Sequence, residues 1–194
     1  PPDVPTEPAI VTATDSVEAG RSGTIVAPVG IRPPLLAAVA SRAATPLVVL
    51  TATGRDAESL TNALASWIPG VAMLPAWETL PHERLSPQVD TMARRIAVLR
   101  RLVHPIKGDD SAGPISVLVV PIRAFLQPII SGLADLEPVR VRTGDILDLT
   151  ETTNPLAELG YERVDMVEGR GQMSVRGGSP AAFPHPEPPT RVSY

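Results

Sequence analysis

The sequence predicts an α/β fold, a parallel sheet flanked by helices over roughly residues 20–135, followed by part of a small α+β domain. Two observations predict it. Short continuous apolar runs, P-L-V-V-L at 46–50 and S-V-L-V-V at 116–120, read as strands buried on both faces. Between such runs lie segments with apolar residues at helical spacing, so strand and helix alternate along the chain.

The elements follow in order. Residues 1–20 are rich in Pro, Thr and Glu and read as a flexible lead-in. The run T-I-V-A at 24–27 reads as a first strand, a loop follows at 28–34, and a helix takes Leu35 to Ala40. After the strand at 46–50 and a turn at Thr53-Gly54, a second helix carries Ala57, Leu60, Leu64, Trp67 and Ile68 at helical spacing. Residues 71–74 form a strand, and 75–87 are irregular. A long helix then sets Val89, Met92, Ile96, Leu99 and Val103 on one face, with Asp90 and Arg94 as an i,i+4 pair. A polar turn at 107–113 leads to the strand at 116–120 and a short helix at 122–126.

Beyond Glu137 the texture changes. Val139-Arg140-Val141-Arg142 alternates as a half-exposed strand does, and a helix over 150–159 stops at Gly160, a suitable C′ glycine. Residues 161–167 and 172–176 read as an antiparallel hairpin across the turn at 168–171. The proline-rich stretch 179–189 precedes a short strand beginning at Arg191. The organisation is a lead-in at 1–22, an α/β domain at 23–136 and an α+β domain at 137–194. The last is too short to close its own sheet, so the chain is expected to be cut from a longer one.

Composition narrows the function. There is no cysteine, which excludes disulfides, iron–sulfur clusters and cysteine-bound zinc. His82, His104 and His185 lack metal-ligand spacing. A net charge of −4 argues against sequence-independent DNA binding. Lys107 is the only lysine; a GC-rich genome accounts for the arginine bias, and arginine forks suit carboxylate contacts. No apolar run nears the roughly 20 residues of a membrane span, and the chain lacks the n-region, h-region and cleavage site of a signal peptide, so a cytoplasmic, non-membrane protein is expected.

Catalytic motifs are absent. His82 beside Glu83 is the nearest acid–base pair, in a proline-bounded loop without a partner. Residues 27–34 occupy the place of a phosphate-binding loop, G-x-x-x-x-G-K-[ST], between a strand and a helix. They read Ala27-Pro28-Val29-Gly30-Ile31-Arg32-Pro33-Pro34. The phosphate-contacting lysine and magnesium-binding hydroxyl fall on Pro33 and Pro34, which also lack the N–H groups such a loop offers. A degenerate phosphate loop and an ordinary strand-to-helix connection are equally good readings of these residues.

Three segments carry a family resemblance: T-A-T-G-R-D-A-E-S-L at 51–60, W-E-T-L-P-H-E-R-L-S-P at 77–87, and G-Y-E-R-V-D-M-V at 160–167 continued by G-Q-M-S-V-R-G-G at 171–178. In this order they resemble the amino-terminal module of the bacterial transcription-repair coupling factors, itself similar to the damage-recognition protein UvrB. The resemblance covers residues 24–194. It implies a RecA-like, helicase-related first domain without a working nucleotide site, and a second domain that binds UvrA. It implies UvrA-contacting arginines at Arg176 and Arg191, a third at Arg163, and a further contact at Tyr194, with the chain stopping before the aromatic residue that completes the family's contact patch; Ser174 stands where UvrB carries another arginine. The family's ATP and magnesium belong to separate motor domains, and RNA polymerase and double-stranded DNA are bound through other domains. Ser179-Pro180-Ala181-Ala182-Phe183 departs from the family's apolar strand, because Pro180 cannot donate to a ladder.

The expected hairpin sets Arg163 and Arg176 on one exposed side, with Gln172 and Ser174. Pattern alone favours charges that solvate the sheet, Arg163 with Asp165; the resemblance favours an interface. Arg94, Arg95, Arg100 and Arg101 on the long helix read as a solvated face opposite Met92, Ile96 and Leu99 in preference to a DNA-binding stripe. Trp67 and Trp77 read as packing residues. The leading expectation is a docking module that recruits UvrA. The alternative is a nucleotide- or nucleic-acid-binding UvrB-like helicase domain, which requires ATP at 27–34. A third expectation has the module mask its UvrA surface against another domain of the parent.

Overall fold

The computed structural model describes residues 11–12, 15–17, 19–78, 89–109, 111–137, 139, 149–158, 161–168, 171–176, 179–182 and 190–191. The first unit is α/β: α1 (Arg32–Arg42), β1 (Leu47–Thr51), α2 (Gly54–Ala65), β2 (Val71–Met73), α3 (Val89–Val103), β3 (Val117–Pro121) and α4 (Ile122–Phe125). Its three strands are parallel in the order β1-β3-β2, with Leu47 and Val71 both opposite Val117. The central strand β3 is buried at every position, as its unbroken apolar run requires.

Alternation along β3 divides the core. Val117 and Val119 pack with Ala37, Ala40, Ala57 and Leu64 of α1 and α2. Leu118 and Val120 pack with Ala72, Leu74, Ala124 and with Val98 and Leu99 of α3. Helices thus cover both faces of the sheet. The Thr53 hydroxyl caps α2 by accepting from the Asp56 N–H at 3.1 Å. In α1, Pro33 and Pro34 sit in the first turn, where the missing N–H groups have no intrahelical partner to lose.

Four expectations change here. Residues 24–27 form no strand; Val26 is 97% exposed, and none of the paired strands includes them. Strand β1 is covered on one face only, since it lies at the sheet's edge and leaves Val48 and Leu50 about half exposed. The lead-in is helical at 11–12 and 15–17, and Asp15 pairs with Arg42 at 3.4 Å. The buried stripe of α3 runs through Thr91, Arg95, Val98 and Leu99, while Val103 is exposed. A 3-10 turn, Leu133–Asp135, packs on the same core and was not foreseen.

The second unit has α5 (Leu149–Glu158) and the strands β4 (Glu162–Arg163), β5 (Gln172–Arg176), β6 (Ser179–Ala182) and β7 (Thr190–Arg191), in the order β4-β5-β6-β7. The expected strand after Val139 and the Gly160 cap lie outside the described residues.

Candidate partner-binding surface

The four-stranded sheet differs from the expected hairpin in one decisive respect: β4 and β5 are parallel. The Glu162 N–H donates to the Gly171 carbonyl at 2.8 Å and the Val164 N–H to the Met173 carbonyl at 2.9 Å. The antiparallel hairpin is formed instead by β5 and β6, with Arg176 opposite Ser179, and β7 adds to β6 with Arg191 opposite Ala181. Apolar alternation reports which residues share a face and carries no information on strand direction. Strand β6 forms despite Pro180; among the described residues β7 pairs with Ala181 and Ala182.

Register then decides which positions lie together. Positions 172, 174 and 176 of β5 share one face, 174 pairs with 181, and 181 pairs with 191. Residues Arg176 and Arg191 therefore occupy one face. Arg163 pairs with Met173 and takes the other, so the expected grouping of Arg163 with Arg176 does not form. Arg163 is exposed at the sheet's edge. Tyr194 lies outside the described residues.

Around this face the described side chains are tied locally. Ser174 is buried, contrary to the exposed position expected, and its hydroxyl donates to the Asp165 carbonyl at 3.0 Å. The Glu168 N–H donates to Gln172 Oε1 at 2.9 Å, holding the β4–β5 connection against β5. The Tyr161 N–H donates to the Leu156 carbonyl at 2.9 Å, joining α5 to β4. Half-burial of its ring pushes the Tyr161 hydroxyl above its ordinary pKa.

In the first unit, the residues at 27–34 adopt a 3-10 turn, Val29–Ile31, that feeds directly into α1. The N–H groups of Ile31 and Arg32 donate to the carbonyls of Pro28 and Val29. Ala27 is half-buried, Gly30 and Arg32 are exposed, and Pro34 is buried.

The four arginines of α3 form no stripe. Arg94 pairs with Asp90 at 2.9 Å, and Arg101 donates to the Gly113 carbonyl at 2.8 Å. Arg100 donates to the Leu136 carbonyl at 2.9 Å. Arg95 is buried: its guanidinium lies 4.5 Å from the Trp77 ring centroid and donates to the Pro75 carbonyl at 2.6 Å, and its Nε has no partner among the described residues. One turn before it, the Thr91 hydroxyl donates to Glu78, and the Trp77 N–H donates to Gln127 Oε1 at 2.8 Å. The start of the W-E-T-L-P segment is thereby fastened to α3 and to the residues after α4. Helical periodicity gives no signal for this, because it sorts residues by polarity and Arg95 is a cation on the buried face. His82 and Glu83 lie outside the described residues, as does most of that segment.

Residues 139–194 match the model of the UvrB interaction domain family. Over 175 residues, 88% of its length, the chain is 45% identical to the transcription-repair-coupling factors of Mycobacterium bovis and Mycobacterium tuberculosis. It belongs to the transcription-repair-coupling factor family. A more distant relative, the transcription-repair-coupling factor of Escherichia coli, is 27% identical over 152 residues, 77% of the chain. The chain spans only 14% of the mycobacterial proteins and 12% of the Escherichia coli protein. The mycobacterial likeness extends across most of the chain, so it includes residues of the α/β unit as well as the domain matched at 139–194.

Proposed function

We propose that this chain is the docking module of a transcription-repair-coupling factor, the part that recruits the excision-repair protein UvrA to RNA polymerase stalled at a lesion. The observation that carries the reading is the match of residues 139–194 to the UvrB interaction domain. The contacts are Arg176 and Arg191, supported by the register that gives their positions one face, with Tyr194 as a further contact and Arg163 as a peripheral contact at the sheet's edge. Arginine forks on a rigid sheet pair with carboxylates of the partner in defined geometry.

In this reading the α/β unit is a RecA-like scaffold that binds no nucleotide. Pro33 and Pro34 offer no N–H to a phosphate, and the N–H groups of Ile31 and Arg32 are used within the chain. ATP and magnesium act in separate motor domains of a cytoplasmic parent, an ATP-dependent translocase that reaches double-stranded DNA and RNA polymerase through other domains. Calorimetric titration of the chain into purified UvrA tests the proposal. A saturable one-site heat supports docking, and the absence of heat from the chain and from its full-length parent alike refutes it.

A further inference from the structure

The five residues that leave the α/β unit are held one after another by the C-terminal half of α3 and by His104 just after it. Gly132, with φ of 81°, turns the chain onto the helix. Leu133 and Ala134 pack against the core cluster that contains Val98 and Leu99. Asp135 Oδ1 is 2.7 Å from His104 Nε2. The Leu136 carbonyl accepts from Arg100 Nη1 at 2.9 Å, and Glu137 Oε1 lies 3.9 Å from Arg100 Nη2. Two residues later, at 139, begins the stretch that matches the UvrB interaction domain.

An exit from a domain is ordinarily a linker with few contacts, and domains joined by one move independently by default. As far as Glu137 this exit is the opposite. Each exposed ion pair alone contributes little, but apolar anchoring at 133–134 and polar anchoring at 135–137 act on consecutive residues, so no free coil remains between them. We propose that Arg100 and His104 are positioning residues, fixing the direction in which the chain departs toward the UvrB interaction domain so that this domain is presented at a set orientation. The proposal does not depend on which partner that domain binds.

The chain has no cysteine, so Ser59→Cys on α2 and Asn154→Cys on α5, both exposed positions, provide clean spin-label sites for pulsed dipolar spectroscopy. The expected result is one narrow distance distribution that broadens about twofold or more in the Arg100→Ala, His104→Ala double variant, as a flexible linker would allow. Circular dichroism establishes that the variant is folded. Should it not fold, the Asp135→Ala, Glu137→Ala pair decides by the same criterion, since both carboxylates are exposed and outside the core. A distribution already as broad in the unaltered chain, or unchanged in the folded variant, overturns the proposal.

Discussion

Arg95 offers a sharp test of how the first unit is held together, because opposing terms of similar size meet at one side chain. The residue is 1% exposed. Replacing it with alanine removes two buried methylenes, about 1.6 kcal/mol in all, and a charge-assisted bond to the Pro75 carbonyl, about 2 kcal/mol. It also removes the stacking of the cation on Trp77, about 1 kcal/mol. Against these losses stands relief from burying a cation whose Nε has no partner among the described residues, worth about 2–3 kcal/mol. The net cost of Arg95→Ala is about 2 kcal/mol. Arg95→Met keeps the apolar stem while sparing the charge, and costs under about 1 kcal/mol. Urea denaturation followed by circular dichroism and tryptophan emission measures both. If the methionine variant is destabilised as much as the alanine variant, the charge and not the stem supports Trp77, and the reasoning fails.

Three further outcomes are expected. Leu64→Ala, at a position with no exposed surface facing Val117 and Val119, lowers stability by about 3 kcal/mol in the same assay through lost burial and a cavity. Gly70 has φ of 74°, and a Cβ there would lie 2.8 Å from the Pro114 carbonyl oxygen and 2.9 Å from Ser116 Oγ; Gly70→Ala costs about 2 kcal/mol or more, measured as a fall in thermal midpoint. The Tyr161 hydroxyl titrates above the usual tyrosine value because burial disfavours the phenolate. Its contribution to stability is therefore present below the unfolded pKa and lost as pH rises through the folded one, which ultraviolet titration of the chain against Tyr161→Phe resolves.

The first unit was legible because its signals are local. Helical spacing marked α2, and the unbroken apolar run of β3 marked a strand buried on both faces. What escaped depends on neighbours that no local pattern encodes. Val48 and Leu50 look as buried as Val117 to Val120, yet the strand order leaves β1 at an edge. The stripe of α3 is displaced because Trp77 and Pro75, distant in sequence, receive Arg95. Direction was the failure in the second unit: alternation identified 172–176 as a strand, but pairing with 161–167 is parallel, and this parts Arg163 from Arg176. The arginines themselves were selected by family resemblance, since an exposed arginine on a strand solvates a sheet as readily as it anchors a partner.

The central claim is that UvrA is met by the face bearing positions 176 and 191. Calorimetry of the chain with purified UvrA, repeated with folded Arg176→Ala, Arg191→Ala and Arg163→Ala variants, tests it most directly. The account predicts that either of the first two weakens binding by about tenfold or more, equivalent to about 1.4 kcal/mol, and that Arg163→Ala has the smaller effect. Undiminished affinity in both Arg176→Ala and Arg191→Ala would contradict it.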